Sequence, residues 1–378
     1  MQMIPFNKPK IFKNSITYLN DSIKTLSFHG DKEYTKRCHK WIEDRFNTKK
    51  CLLTTSCTHA LEMVAMLSEI KEGDEVIMPS YTFVSTANAF IKFGAKIIFI
   101  DIVPQTMNLN EDLIEQAITP KTKIIVPVHY AGVSCDMDKI MQIANKYNLI
   151  VAEDAAQGVS SLYKNRYLGT IGDFGCFSFH ETKNYICGEG GALLINNEKY
   201  IDRAKIIREK GTNRDNFLNG IVNKYTWVDK GSSYLPSDIL ASILYGQLEN
   251  TNKINKKRLN LWNFYYKQLK ILENKSLIEL QKIPEYSSHN AHMFFIKVRD
   301  IEVRTKLIEF LKKNNVLSLF HYIPLHSSPM GLKNTLFYGN DEITTKDSER
   351  LLRLPLYYDL TKKQIKYICQ LIDIFFSK

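Results

Sequence analysis

The sequence lacks any long uninterrupted run of apolar residues. No window approaches a bilayer-spanning length without carrying charged residues, and residues 1–10 hold lysine and proline in place of the apolar stretch of a secretory signal. We therefore predict a cytoplasmic, unprocessed protein with no membrane partner.

Paired cysteines are also missing. The seven cysteines are odd in number and scattered, and none forms the Cys-x-x-Cys spacing used in zinc or redox chemistry. We expect reduced thiols and no metal site. The positions are Cys38, Cys51, Cys57, Cys135, Cys176, Cys187 and Cys369.

Acidic residues are fewer than basic ones, and the formal net charge of +11 raises the question of nucleic-acid binding. The lysines are spread along the chain, however, and their densest run, at residues 253–258, falls in a helical pattern with few aromatic residues. A solvated helix surface explains this run better, so no nucleic-acid partner is predicted. An anionic small substrate fits the basic balance equally well.

Internal repeats and low-complexity tracts are absent, and short apolar runs alternate with helical patterns instead. Helices are predicted at residues 58–70, 112–118 and 136–147. This alternation is typical of α/β proteins with a mainly parallel sheet flanked by helices. The predicted strands are 51–54, 75–78, 96–100, 123–128, 149–152, 175–179 and 192–195.

The pattern changes after a long helical stretch at residues 240–272. A chain of 378 residues is long enough for one large and one smaller domain. We place the boundary near residues 249–255, which gives a large domain at 1–250 and a smaller C-terminal α+β domain at 251–378. The smaller domain is predicted to hold a strand at 293–298 and helices at 303–313 and 362–376.

Two polar side chains near the apolar runs indicate one chemistry. Lys183 lies between two predicted strands, and Asp154 follows the run at 149–152. A lysine amine can form a Schiff base with the aldehyde of pyridoxal phosphate, and a carboxylate can hold a proton on the pyridine nitrogen. Asp154 is expected beyond the carboxyl end of its strand, where ligands of parallel sheets bind. An Asp that caps the next helix is the alternative.

Three further positions fit the same ligand, each with a plainer alternative. The segment 56–59 follows a strand and opens a helix, so its backbone amides suit a phosphate, although Ser56 also suits an ordinary helix cap. Phe83 follows a strand and suits stacking on a planar ring, or simple core packing. Ser178 alternates with two phenylalanines on a strand, so its hydroxyl faces the other side.

Five motifs occur in an order that is more specific than any one of them. They are Ser-Cys-Thr at 56–58, Pro-Ser-Tyr-Thr-Phe at 79–83, Pro-Val-His-Tyr-Ala-Gly at 127–132, Glu-Asp-Ala-Ala-Gln at 153–157 and Ser-Phe-His-x-x-Lys-Asn at 178–184. Together they resemble the DegT/DnrJ/EryC-type sugar aminotransferase family. Its members are pyridoxal phosphate enzymes of the aspartate aminotransferase fold (type I) that aminate keto-sugars carried on nucleotides. The resemblance extends from residue 4 to residue 356.

The resemblance implies a role for each candidate. Lys183 would carry the cofactor and move the proton between the substrate carbon and the cofactor, and Asp154 would pair with the pyridinium nitrogen. Gln157 would lie against the ring or its phenolic oxygen. The other implied contacts are ring stacking by Phe83 and phosphate binding by the amides of Thr58 and His59 and the hydroxyl of Ser178.

The sequence departs from the family pattern at one cofactor contact. Many members use an Asn of the partner subunit on the cofactor phosphate, and Leu235 stands at that position here. Ser233 or Tyr234 would replace it, or the contact would be absent. The family also implies a homodimer with shared active sites. Related dehydratases carry His where this chain has Lys183, which favours transamination over deoxygenation.

The resemblance also implies the substrates. L-glutamate would give up its amine and leave as 2-oxoglutarate, and C4 of dTDP-4-keto-6-deoxyglucose would receive it to form dTDP-4-amino-4,6-dideoxygalactose for surface polysaccharides such as enterobacterial common antigen and lipopolysaccharide. Another keto-sugar nucleotide or the gluco epimer remains open. The candidates for substrate contacts are Lys210 and Arg214, which a solvated loop also explains, and His321 and His326, which core packing also explains.

Two other classes of function are less well supported. An NAD-type dehydrogenase would need a G-x-G-x-x-G segment before a helix, whereas Gly169-x-x-Gly172-x-x-Gly175 precedes a strand. A non-catalytic binding protein on an enzyme fold has no need of both Lys183 and Asp154.

Overall fold

The computed structural model describes residues 3–377. Its strands are β1 (Lys50–Thr54), β2 (Glu75–Pro79), β3 (Lys96–Ile100), β4 (Thr122–Ile125), β5 (Ile150–Asp154), β6 (Leu162–Tyr163), β7 (Arg166–Tyr167), β8 (Phe174–Ser178), β9 (Gly191–Ile195), β10 (Glu279–Leu280), β11 (Ser287–Ser288), β12 (Phe294–Lys297), β13 (Thr335–Phe337) and β14 (Leu351–Leu354). Its α-helices are α1 (Lys13–Lys24), α2 (Glu33–Phe46), α3 (Cys57–Leu67), α4 (Val84–Ile91), α5 (Ile114–Ala117), α6 (Met137–Tyr147), α7 (Ile201–Arg208), α8 (Arg214–Leu218), α9 (Asp238–Leu248), α10 (Thr251–Asn274), α11 (Ile301–Lys313), α12 (Gly331–Asn334), α13 (Thr344–Arg350) and α14 (Lys362–Phe376).

Eight strands form one sheet in the order β1-β9-β8-β5-β4-β2-β3-β13. Its neighbours pair in parallel except that β9 runs antiparallel to β1 and to β8. Successive residues of β2 fill opposite faces, since Ile77 packs into one hydrophobic cluster while Val76 and Met78 pack into another. Both faces are covered, which is why these strands are apolar throughout. The predicted α/β class with a mainly parallel sheet is confirmed.

The observed elements differ from the predicted ones mainly in three places, apart from shifts of one to three residues at other ends. The strand expected at 123–128 ends at Ile125, and the helix expected at 112–118 is a 3-10 turn followed by the single turn of α5. The helix expected at 240–272 is divided into α9 and α10. At the break, Asn250 Nδ2 donates to the Gly246 carbonyl (2.8 Å) and the Thr251 hydroxyl to the Leu248 carbonyl (2.6 Å), so side chains bind the carbonyls that end α9.

The C-terminal third has a sheet and a core of its own. Strands β10, β12 and β14 form a three-stranded antiparallel sheet, and apolar residues of α10, α11 and α14 pack with it in one cluster. Ile4 joins that cluster from the N-terminus, and β13 leaves it to pair with β3. Because the chain crosses between the two parts at both places, the division at residue 250 stays a prediction.

Three findings bear on the expectations from composition. Within residues 3–377, no helix is both long and apolar enough to cross a membrane. The seven cysteines are buried free thiols. The His, Cys, Asp and Glu side chains of the described chain form no cluster suited to a metal ion.

Candidate active site

A cavity of about 700 Å³ opens where the parallel strands end. Its walls come from the segments after β1, β2, β5 and β8, from the N-terminal Phe6 and Asn7, and from residues of the C-terminal third. At this edge of an open parallel sheet, loops lead into helices and leave space for a ligand. The sequence-predicted residues that line the cavity are Thr58, Phe83, Asp154, Gln157, Ser178, Lys183 and His321.

Lys183 reaches the cavity from the loop between β8 and β9. Its backbone amide donates to the His180 carbonyl at 2.9 Å, which holds the loop in a tight turn. Loss of hydration lowers the pKa of the Lys183 amine, while neighbouring Cys57 and Asp154 act in the opposite direction. The amine therefore loses its proton at a lower pH than an ordinary lysine, as nucleophilic attack and proton transfer require.

Asp154 is the last residue of β5, and its buried carboxylate is held from two sides. The Thr86 hydroxyl donates to Oδ2 at 2.7 Å, and the Ala156 amide donates to Oδ1 at 3.1 Å. Thr86 is itself 2.9 Å from the hydroxyl of Thr82. These bonds fix the carboxylate at the cavity, and because β5 is followed by β6, no helix begins directly after Asp154 for it to cap.

The neighbouring Glu153 faces away from the cavity and anchors the strand end. Its fully buried carboxylate accepts from the amides of Gly169 (2.8 Å), Ile171 (2.7 Å) and Gly172 (2.8 Å), and it lies 2.9 Å from His129 Nε2. The glycine-rich segment at residues 169–175 thus binds a carboxylate of the protein itself, that of Glu153. This explains its position before a strand and leaves no dinucleotide loop there.

The N-terminus of α3 points its first amides at the same cavity. The hydroxyl of Ser56 accepts the His59 amide at 3.2 Å, so Ser56 is a helix cap and the His59 amide is already bonded. The amides of Cys57 and Thr58 lie in the turn that has no intrahelical acceptor. A Cβ at Gly191 would lie 2.4 Å from the Cys57 nitrogen, so only glycine lets β9 approach the helix end this closely.

Gln157 and Phe83 line the cavity, and both lie near Tyr322. Gln157 Oε1 accepts the Ala131 amide at 2.6 Å, and Nε2 donates to the Tyr322 hydroxyl at 3.0 Å. The Phe83 side chain is 56% exposed, with its ring 6.2 Å from that of Tyr322. Phe83 is therefore not a core residue, and its open face is available to a planar ligand.

The cavity of the single chain does not include His59, Ser233, Lys210 or Arg214. Lys210 and Arg214 both pair with Glu209 Oε1, at 3.3 and 3.1 Å, and Ser233 is exposed on the strand-like segment beside Glu209. The His59 ring contacts the Thr55 hydroxyl. None of the four therefore lines this cavity within one chain, and their contacts with a ligand stay predictions.

His326 is also outside the cavity, for a clear structural reason. Its Nδ1 lies 2.7 Å from the Ser80 hydroxyl, and its Nε2 lies 3.1 Å from an Asp341 carboxylate oxygen. Both ring nitrogens are thus occupied by protein groups. The plainer explanation, a packing histidine, holds for His326 and not for His321.

Arg353 is a cavity residue whose role the sequence did not indicate. Its Nε and Nη2 donate to the Phe320 carbonyl, at 3.2 and 2.9 Å, and its guanidinium lies 4.8 Å from the centre of the Phe6 ring. Burial lowers its pKa, though the group stays a cation at neutral pH. The sequence feature that could have indicated Arg353 is its charge within the otherwise apolar strand β14. The other cavity residues without a predicted role include Phe6, Thr86, His292 and Tyr322.

Comparison with known proteins gives a consistent result. The sequence model of the DegT/DnrJ/EryC1/StrS aminotransferase family matches residues 10–373. The chain is 29% identical to GDP-perosamine synthase of Escherichia coli O157:H7, with all of both chains covered, and 30% identical to the spore coat polysaccharide biosynthesis protein SpsC of Bacillus subtilis, covering 98% of this chain and 96% of that one. The solved PLP form of Spr1654 from Streptococcus pneumoniae superposes with a TM-score of 0.88 at 27% identity, covering 99% and 98% of the two chains.

Proposed function

The chain belongs to the DegT/DnrJ/EryC1/StrS aminotransferase family, and we propose that it transfers the amino group of L-glutamate to C4 of a nucleotide-linked 4-keto-6-deoxy sugar. The proposed substrate is dTDP-4-keto-6-deoxyglucose, the product is dTDP-4-amino-4,6-dideoxygalactose, and 2-oxoglutarate leaves. Pyridoxal 5'-phosphate is the cofactor. When bound, it supplies an aldehyde that exchanges amines and a ring that accepts an electron pair.

The side chains of the cavity fit this cofactor. Lys183 provides the amine, and Asp154 provides a fixed carboxylate for the pyridine nitrogen. The Thr58 amide and the Ser178 hydroxyl suit the phosphate, because a helix N-terminus favours an anion. Phe83 and Gln157 would border the ring. The combination of amine, carboxylate and open helix end in one cavity is the observation that carries the proposal.

In the reaction, Lys183 would carry protons to and from the reacting carbon. Its lowered pKa means that the amine can take a proton from the donor carbon and later return one to C4 of the sugar. Asp154 stays in place throughout, because Thr86 and the Ala156 amide hold its two oxygens. One group therefore moves the proton while the other keeps its charge fixed.

We assign Arg353 to the carboxylate of the amino donor. The α-carboxylate of glutamate is attached to the reacting carbon, so it requires a cation close to Lys183. Arg353 is near enough for its charge to lower the pKa of the Lys183 amine. In a sugar nucleotide the diphosphate is separated from C4 by the sugar ring, so it would lie further out. Charge-assisted bonds from a guanidinium suit a carboxylate.

A second copy of the chain would complete the site. Ser233, Lys210 and Arg214 lie outside the cavity of their own chain, on a segment whose neighbours Trp227 and Ile221 are 78% and 69% exposed. Apolar side chains of this size are commonly covered by a partner. We propose a homodimer in which this segment reaches the other subunit's cavity and adds its cations or Ser233 to the cofactor phosphate or the substrate diphosphate.

The names of two relatives bear on the sugar and its use. One is a synthase of a GDP-linked product, so GDP is the nucleotide that most needs to be tested against dTDP. The other takes part in polysaccharide biosynthesis, which agrees with a role for the product in a surface polysaccharide. The proposal places the enzyme in the cytoplasm and the product in enterobacterial common antigen or lipopolysaccharide.

The test follows the two halves of the reaction separately. Purified protein with pyridoxal phosphate is mixed with L-glutamate, and the visible absorption band of the cofactor is monitored as 2-oxoglutarate is released. Excess glutamate is removed, and dTDP- or GDP-4-keto-6-deoxy sugar is added. We expect glutamate to remove the band and the dTDP sugar to restore it. The NMR coupling constants at C4 of the product then distinguish the galacto from the gluco epimer.

Each failure contradicts a different part of the proposal. If glutamate leaves the band unchanged, the donor is wrong. If only the GDP sugar restores the band, the nucleotide is wrong while the chemistry stands. If neither sugar restores it, the acceptor class is wrong.

A further inference from the structure

His321 lines the cavity and is held by a tyrosine from a distant part of the sequence. Its Nδ1 lies 2.8 Å from the hydroxyl of Tyr130. Tyr130 is fully buried, and its hydroxyl lies 3.5 Å from that of Tyr81. Since Nδ1 faces this buried pair, Nε2 on the opposite edge of the imidazole is the polar atom left for the cavity.

The direction of the Tyr130 bond sets the tautomer of the histidine. Burial raises the pKa of the Tyr130 hydroxyl, so it keeps its proton and can donate it. A bond from Tyr130 to Nδ1 requires an unprotonated Nδ1, which places the imidazole hydrogen on Nε2. The Tyr130 hydroxyl has one proton, and we assign it to the 2.8 Å contact with His321 Nδ1 in preference to the 3.5 Å contact with Tyr81, which leaves Tyr81 to donate to Tyr130.

The turn that carries Tyr130 has little freedom to move. The Tyr130 amide donates to Asn108 Oδ1 at 2.9 Å, and the next residue, Ala131, has a left-handed φ of 56°. Gly132 follows with φ 78°, and a Cβ there would lie 2.2 Å from Asn290 Oδ1. A turn with these contacts keeps the tyrosine hydroxyl at one position.

The charges around His321 oppose a second proton on its ring. Burial lowers its pKa well below the usual value, and the positive charges of Arg353 and Lys183 and the nearby His292 lower it further. Tyr322 stacks on the ring at 3.6 Å and has a hydroxyl of raised pKa that remains neutral. His321 therefore offers the cavity a neutral N–H group.

We infer that His321, oriented by Tyr130, donates its Nε2 hydrogen to an oxygen of the keto-sugar and selects that substrate without contributing to the reaction of the amino donor. The inference rests on the proposed function for the identity of the sugar. A sugar presents hydroxyl and carbonyl oxygens, which suit a neutral donor, whereas the donor carboxylate suits the cation of Arg353. Tyr130 is a positioning residue in this scheme, because it acts only through His321.

The first experiment substitutes His321 and a matched histidine. His326→Phe is the control, since His326 lies in the same segment outside the cavity. Loss of one neutral hydrogen bond corresponds to about a tenfold weaker complex. We expect His321→Phe, which keeps a ring beside Tyr322 and removes both nitrogens, to raise the KM for the keto-sugar about tenfold and to leave the rate of the glutamate half-reaction within twofold. His326→Phe should change neither.

A binding measurement supplies a readout that does not depend on turnover. The keto-sugar reacts with the amine form of the cofactor, so its Kd for the aldehyde form can be measured by calorimetry. Tyr130→Phe, which removes only the hydroxyl, should raise that Kd about tenfold, and Tyr81→Phe, one link further away, less than threefold. A structural role for Tyr130 would instead lower the melting temperature and slow both half-reactions equally.

The outcomes separate this inference from the proposed function. If the wild type performs both half-reactions and His321→Phe keeps a normal KM and Kd for the keto-sugar, the inference is wrong and the function stands. If the wild type takes no keto-sugar, the function itself fails, and the role of His321 fails with it.

Discussion

Two walls of the cavity are held in different ways. The strand-end wall consists of Thr58, Asp154, Ser178 and Lys183, which are the last residues of strands or lie in the segments that directly follow them. The C-terminal wall consists of His321, Tyr322 and Arg353, and its side chains are held by partners far away in the sequence. Tyr130 holds His321, Gln157 holds Tyr322, and Phe6 covers Arg353.

The difference indicates that one wall serves the chemistry and the other serves substrate binding. The sheet fixes the strand-end wall through its backbone, and that wall holds the amine and the carboxylate on which the chemistry depends. In the C-terminal wall, Arg353 lies on β14 and pairs with Leu319 through the backbone, while single contacts hold the side chains of His321 and Tyr322. Individual side-chain substitutions can therefore change this wall without disturbing the eight-stranded sheet. We therefore expect changes in the strand-end wall to stop the reaction and changes in the C-terminal wall to alter substrate binding.

The largest effect is expected from Lys183→Ala. It removes both the amine that links to the cofactor and the group that moves the proton, and general acid–base catalysis alone contributes about a 10²- to 10⁴-fold rate increase. We expect no turnover above background in a coupled assay for 2-oxoglutarate. The control is Lys40→Ala, because Lys40 is an exposed lysine paired with Asp44 on α2. Turnover by the Lys183 variant close to wild type would contradict the account.

Asp154→Asn should slow both half-reactions by about a hundredfold or more, because the fixed charge that stabilises a protonated ring nitrogen is lost. The Thr86 hydroxyl can still bond the amide oxygen, so the fold is retained. Stopped-flow absorbance with glutamate and with the keto-sugar measures the two rates. Unequal loss in the two half-reactions would show that Asp154 acts on a substrate and not on the cofactor.

Glu153→Gln tests the support beneath the strand-end wall. The substitution removes the charge that receives three amides and His129, so the free energy of unfolding should fall by about 3 kcal/mol. Urea denaturation measures the change. Glu198→Gln serves as the comparison, since that exposed carboxylate pairs only with Lys49 and should alter stability by less than about 0.5 kcal/mol. Equal stability of the two variants would mean that Glu153 does not stabilise the strand-end wall.

Arg353→Gln tests the C-terminal wall. Loss of a hydrogen bond to a charged group costs about 1.5–3 kcal/mol, which corresponds to a rise of about 10- to 100-fold in the KM for L-glutamate. The KM for the keto-sugar should change much less. Steady-state kinetics with each substrate varied in turn measures both. A rise confined to the keto-sugar would instead place the diphosphate at Arg353.

The smallest effect concerns pH. Burial lowers the pKa of the Lys183 amine, and the Asp154 charge partly opposes this, so Asp154→Asn should lower that pKa further. The free amine of the variant then persists to a lower pH. The rate at which the apoprotein binds pyridoxal phosphate should therefore begin to fall at a lower pH in the variant than in the wild type. Rates of pyridoxal phosphate binding by the two apoproteins, measured across a pH series, test the direction of this shift. A shift toward higher pH would mean that Asp154 does not act on the lysine through its charge.

The sequence was informative about the strand-end wall because local patterns determine it. Apolar runs predicted the strands, and both Asp154, after one predicted strand, and Lys183, between two of them, line the cavity. The phosphate contact of His59 stays a prediction: Ser56 suited a helix cap from the sequence, but the sequence does not show that the cap binds the His59 amide. A helix cap and a phosphate site both use the amides at the N-terminus of α3, and only the geometry shows which amide serves which.

The C-terminal wall could be predicted only in part. His321 and His326 look alike in the sequence, and what separates them is contact with Tyr130 in one case and with Ser80 and Asp341 in the other. Such contacts join residues up to 246 positions apart, which periodicity cannot reveal. Arg353 had a local signal, a charge inside an apolar strand, but its role depends on Phe6 and Phe320.

The central claim is that Lys183 is the residue that bonds the cofactor, and reduction followed by peptide mass spectrometry tests it most directly. Protein loaded with pyridoxal phosphate is treated with borohydride, which makes a cofactor–amine link permanent, and is then digested. We expect a phosphopyridoxyl group on the peptide that contains Lys183 and on no other lysine in comparable yield. A label on a different lysine, or none at all, would contradict it.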